Sequence, residues 1–88
     1  MSAVVMYSSR FCPYCHAAKR LLEARGVAFE EIDVDFDPER RGEMMARAGG
    51  RHTVPQIFIG ERHVGGCDEL YALERAGELA PLLERTAS

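Results

Sequence analysis

The sequence predicts an α/β fold: a mixed four-stranded sheet with helices on both faces, in the order βαβαββα plus a short C-terminal helix. Three observations carry this expectation. Short apolar runs that suit strands alternate with longer amphipathic stretches that suit helices. Pro13 and Pro38 stand where helices begin, and Gly26, Gly49 and Gly77 where they end. Gly60-Glu61 separates two short strand-like runs, as the turn of a hairpin does.

Ala3-Val4-Val5-Met6-Tyr7 is a continuous apolar run with two β-branched residues, which reads as a strand covered on both faces. A loop, Ser8 to Phe11, leads to a helix from Pro13 to Arg25, whose Ala17, Ala18, Leu21 and Leu22 share one face. Ala28, Ile32, Val34 and Phe36 alternate with Glu31, Asp33 and Asp35, the period of a strand with one wet face. Asp37-Pro38 is a cap followed by a first-turn proline, opening a helix to about Ala48 that buries Met44 and Met45. Gln56 to Ile59 and Arg62 to Val64 form the hairpin, with Gly65-Gly66 as a break after it. A helix from about Asp68 to Ala76 follows, and Leu79, Leu82 and Leu83 mark a short helical tail that lids the core. The first βαβ crossover is expected to be right-handed, giving two parallel strands.

The chain has 88 residues, 47% of them hydrophobic and 28% charged, which suits one globular domain over 1–88. Its net charge is −3 and no run of Lys or Arg exceeds two residues, so a nucleic-acid partner is not expected. The N-terminal apolar run is too short for a signal peptide and has no basic start. No stretch approaches the ~20 apolar residues of a membrane span. A cytoplasmic monomer is the expectation. Thiols stay reduced there, and 3 is an odd number of cysteines, so reactivity is favoured over a structural disulfide framework.

Cys12-Pro13-Tyr14-Cys15 carries the chemistry. A C-x-x-C placed after a strand and opening the helix of a βαβ unit reads as a thioredoxin-like redox motif. Cys12 falls at the helix cap, where its sulfur can accept from the free amides of Tyr14 and Cys15. The helix dipole favours an anion at that end, and Arg10 stands nearby. Cys15 lies one turn on, within reach for a disulfide but deeper. Cys12 is therefore the expected nucleophile and Cys15 the resolving thiol. The competing readings are inert buried cysteines, or half of a zinc site drawing on Cys67, His16, His52 or His63. No second C-x-x-C or H-x₃-H spacing supports the zinc reading, and no metal is expected.

Three segments together resemble the signatures of the glutaredoxin family: Cys12-Pro13-Tyr14-Cys15, Thr53-Val54-Pro55-Gln56-Ile57-Phe58 and Gly65-Gly66-Cys67-Asp68-Glu69-Leu70. The chain looks like the dithiol (class I), bacterial glutaredoxin 3 type, and the resemblance covers almost all of it. It implies a thioredoxin-like fold and a glutathione-dependent thiol–disulfide oxidoreductase. The implied partners are glutathione as co-substrate and glutathionylated or disulfide-containing proteins, ribonucleotide reductase among them, with no tightly bound cofactor. It implies a cis bond before Pro55. It also implies a glutathione site of Tyr14, Thr53, Val54, Pro55, Gly66, Cys67 and Asp68. There the Val54 backbone pairs with the peptide, free amides take the γ-glutamyl carboxylate and Asp68 takes its ammonium.

Two positions depart from the family pattern. Ser9 stands where many members have Lys, leaving Arg10 as the substitute cation in the site. Gly42 stands where many have Gln, leaving Arg41 or Arg51 for the glycyl carboxylate. Cys67 itself is expected to be a small apolar residue, with a redox-sensitive thiol as the sharper reading. His16, His52 and His63 are expected to be exposed or locally bonded, not general bases. The acidic run Glu30 to Asp37 is expected to be a solvated strand face. Two other functions compete: a thioredoxin-type reductase recycled by a flavoenzyme, and a carrier of an iron–sulfur cluster bridged by glutathione.

Overall fold

The structure is a computed structural model and describes residues 3–87. The elements are β1 (Val4–Ser8), α1 (Pro13–Ala24), β2 (Glu30–Asp33), α2 (Pro38–Arg47), β3 (Gln56–Ile59), β4 (Arg62–Gly65), α3 (Cys67–Arg75) and α4 (Leu79–Ala87). The sheet runs β2-β1-β3-β4. β1 and β2 are parallel, pairing Tyr7 with Ile32. β3 lies antiparallel to both β1 and β4, pairing Met6 with Ile57 and Phe58 with His63.

Alternation along β1 and β3 sends successive side chains to opposite faces. Val4, Met6, Ile57 and Ile59 point to one side, where Ala18 and Leu22 of α1, Leu70 of α3 and Leu79, Leu82 and Leu83 of α4 close over them. Tyr7 and Phe58 point to the other, against Val34 and against Met44 and Ala48 of α2. Both faces of the central strands are thus buried, as the uninterrupted apolar run of β1 predicts. α4 is a working part of the larger core. Among the described residues, no helix is long and apolar enough to cross a membrane.

Phe36 corrects the expectation of an alternating strand. β2 ends at Asp33, and Phe36 is 91% exposed at a φ of 59°. The reason is the competing chemistry of the aspartates. The Asp35 amide donates to Asp33 Oδ1 at 2.7 Å, and the Asp37 amide donates to the Val34 carbonyl at 3.3 Å. An Asp side chain that satisfies the backbone two residues on makes a turn and ends pairing. Ala28, placed in the same alternation, is also exposed.

The acidic run is likewise more than a wet face. Glu31 accepts from Ser8 Oγ at 2.8 Å and pairs with Lys19 at 2.9 Å. Burial alone would raise its pKa, but the Lys19 and Ser8 bonds outweigh it and hold the carboxyl below its ordinary value. Asp35 Oδ2 takes both the Ser9 hydroxyl (3.0 Å) and the Arg10 amide (3.1 Å). Residues expected to face solvent therefore fasten the β1–α1 loop that presents Cys12.

Candidate active site

Cys12 is the N-cap of α1, in extended backbone, with Pro13 behind it in the first turn. A cap of this kind leaves helix amides pointing at the capping side chain. The Cys15 amide takes up that role, donating to Cys12 Sγ at 3.2 Å. The first turn of α1 contains no acidic residue, so nothing there opposes the positive end of the helix. On its other side Cys12 Sγ–H donates to the Val54 carbonyl at 3.6 Å. Cys12 is half-buried, Cys15 and Cys67 are buried, and all three are free thiols.

Cys15 differs sharply from Cys12. It is 1% exposed. Burial first, and then its bond with Cys12, pushes its thiol up from 9.0 to about 12. A group held protonated across the physiological range suits the resolving role: it keeps its proton until a disulfide forms next to it.

Beside Cys12 lies a cavity of about 140 Å³. Tyr14 forms one wall, projecting from α1 at 64% exposure. The segment Thr53, Val54 and Pro55 forms a second, and the Val54–Pro55 bond is cis, as the resemblance implies. Gly66, Cys67 and Asp68, at the start of α3, form the third. Every residue named from the sequence for the glutathione site, save Arg10, thus meets around one cavity.

Arg10 stands apart: its Nε pairs with Asp33 at 3.1 Å, and its carbonyl oxygen bonds the His16 ring at 2.9 Å. Arg51, one of two cations considered for the glycyl end, lines the cavity, whereas Arg41 donates to the His52 carbonyl at 3.2 Å.

Glu69 is the wall residue that sequence reasoning missed. Its Oε1 accepts the Gly66 amide at 2.6 Å and pairs with Arg51 at 3.3 Å. The Gly66 bond first, with Arg51 helping, holds this carboxyl below its ordinary value. The signal was available: an acid at the third position of a helix reaches back to the cap amide. Gly65 is fixed by the same contact, since its φ is 116° and a Cβ there would lie 2.5 Å from Glu69 Oε1.

The Glutaredoxin family model matches residues 4–64. The chain is 59% identical to a glutaredoxin of Pseudomonas aeruginosa over 83 residues, covering 94% of this chain and 98% of that one. The chain belongs to the glutaredoxin family. Glutaredoxin 3 of Escherichia coli is 52% identical over 84 residues, 96% of this chain and all of that one. Among solved structures, the glutaredoxin of Brucella melitensis superposes with a TM-score of 0.83 at 53% identity, covering 100% of this chain and 94% of that chain. A buckwheat glutaredoxin, solved as a complex with glutathione, superposes with a TM-score of 0.89 at 30% identity, covering 98% of this chain and 80% of that one. The fold is thioredoxin-like, and the protein is a thiol–disulfide oxidoreductase.

Proposed function

We propose that the protein reduces protein–glutathione mixed disulfides, and some protein disulfides, with glutathione as its electron donor. One observation carries this reading. The half-buried sulfur that caps α1 stands against Val54, and Val54 belongs to a cavity with a cationic, an anionic and an amide-bearing wall. Glutathione has the matching parts: an extended backbone, two carboxylates and an ammonium.

The residues take these roles. Val54 offers its backbone to the cysteinyl unit in the manner of an added strand. Gly66 and Cys67 bring the start of α3 to the γ-glutamyl carboxylate, and Asp68 takes the ammonium. Arg51 takes the glycyl carboxylate. Tyr14 lies along the sulfur, and Thr53 and Pro55 close the floor. Arg10, held by Asp33, has no place in that wall. The buckwheat complex with glutathione supports the assignment by likeness of fold.

The chemistry balances as two exchanges. The Cys12 thiolate attacks the glutathionyl sulfur of the mixed disulfide, the S–S bond breaks, and the substrate protein leaves as a thiolate that takes a proton. A second glutathione thiolate then attacks the Cys12–glutathione bond, giving glutathione disulfide and free Cys12. For a protein disulfide, Cys15 attacks the mixed bond instead, leaving a Cys12–Cys15 disulfide that two glutathiones reduce in turn. The setting is a reducing compartment such as the cytoplasm.

The test is turnover of a glutathione–cysteine mixed disulfide coupled to glutathione, its reductase and NADPH. Activity that vanishes in Cys12→Ser is the expected result. No turnover with glutathione, together with efficient recycling by a flavoenzyme reductase, would replace this reading with a thioredoxin-type one.

A further inference from the structure

Gln56 opens β3 immediately after the cavity segment, and it is 0% exposed. A fully buried amide must satisfy its polar atoms inside the protein. Its Nε2 lies 3.0 Å from the Thr53 carbonyl and 3.2 Å from Thr53 Oγ1. A carbonyl oxygen only accepts, so the amide nitrogen must be the atom facing Thr53. That places Oε1 on the other side, 2.7 Å from His63 Nε2 on the neighbouring strand. Oε1 only accepts, so His63 carries a proton on Nε2. The ring is held for this by stacking on Phe58, with centroids 4.8 Å apart and planes at 25°. Thr53 Oγ1 spends a lone pair on Gln56 and keeps its O–H proton for an acceptor elsewhere. Thr53 lines the cavity.

We propose that His63 and Gln56 are positioning residues of the site. They form a one-way chain of donors from His63 Nε2–H through the Gln56 amide to Thr53, which sets the Thr53–Pro55 wall and commits the Thr53 hydroxyl to donate to a carbonyl or carboxylate oxygen of bound glutathione. The inference rests on glutathione occupying this cavity. Every bond in the chain has the same polarity, so each strengthens the next. A His63 that keeps Nε2–H donates to Gln56 in both protonation states, so the chain fixes geometry and is not a pH switch. Neither residue touches the reacting sulfurs, and the effect is expected in binding rather than in the chemical step.

The experiment compares His63→Phe, His63→Gln and Thr53→Val in steady-state turnover of the glutathione–cysteine mixed disulfide. His63→Phe keeps the stacked ring and removes the donor. His63→Gln restores an N–H at similar reach. We expect KM for the mixed disulfide to rise about 3- to 10-fold in His63→Phe, the range of one neutral hydrogen bond. We expect kcat to stay within about 2-fold and His63→Gln to recover KM. Thr53→Val should raise KM alike, and the double variant should fall short of the product of the two single effects, because both act on the same residue of the wall. Long-range ¹⁵N–¹H spectra of the unmodified protein should show His63 protonated on Nε2. An unmoved KM in His63→Phe, additive effects in the double variant, no rescue by Gln, or an Nδ1–H tautomer would each overturn the chain. Wild-type protein inert towards the mixed disulfide would instead remove the glutathione reading and this one with it.

Discussion

Two helices begin beside this cavity, and each presents a cysteine, yet the two starts are built for opposite ends. Cys12 is itself the cap of α1, so the Cys15 amide of the first turn donates to its sulfur. Cys67 is the first residue inside α3, one position later, and the cap is Gly66. The Glu69 carboxylate accepts the Gly66 amide, which brings a negative charge to the cap itself. Asp68 and Glu69 place two negative charges in the first turn of α3, where α1 has none. Burial first, then Asp68, and then Cys12 and Glu69, push the Cys67 thiol up. The same residue type at the same end of a dipole should thus be reactive or quiet according to one residue of phase and two carboxylates.

The largest test of that contrast is Cys12→Ser, which should reduce turnover of any disulfide substrate to the uncatalysed background. Cys15→Ser should separate two reactions: turnover of a glutathione mixed disulfide survives within a few-fold, whereas reduction of a protein disulfide is lost. Equal loss of both would show that Cys15 does more than resolve. Asp68→Asn sharpens the comparison from the other helix. It should weaken glutathione binding about tenfold, seen as KM, because it removes a charge-assisted bond. It should also speed alkylation of Cys67 several-fold, since one of the opposing charges has gone.

Alkaline pH gives a smaller effect with a defined sign. The folded state holds the Cys15 proton up to about 12, while the unfolded chain releases it near 9.0. The stability this proton confers is complete below 9.0 and is lost as pH rises towards 12. The melting temperature should therefore fall over that interval, and fall less in Cys15→Ser. Smallest of all, Cys67→Ala should leave turnover within about 2-fold, consistent with a thiol that fills space.

The sequence made the central parts legible because their signals are local. The proline-started α1, the hairpin around Gly60 and the apolar β3 follow from turn chemistry and period alone, and β3 has the bounds expected of it, Gln56–Ile59. The cavity was legible through resemblance, since its three walls come from segments far apart in the chain. What escaped was side chain meeting backbone. Phe36 fitted an alternating pattern, but Asp33 and Asp37 turn the chain around it. α3 starts at Cys67 rather than Asp68 because Gly66, tied by Glu69, serves as cap. His63 carried no motif, and only its pairing opposite Phe58 brings it to Gln56.

The most direct measurement follows the rate at which iodoacetamide labels each cysteine of the fully reduced protein at pH 7, resolved by mass spectrometry. Cys12 should react at least about a hundredfold faster than Cys67 and Cys15, because it alone combines a capping position with access to solvent. Labelling of Cys67 at a comparable rate would contradict the account, since position at the cap would then confer nothing.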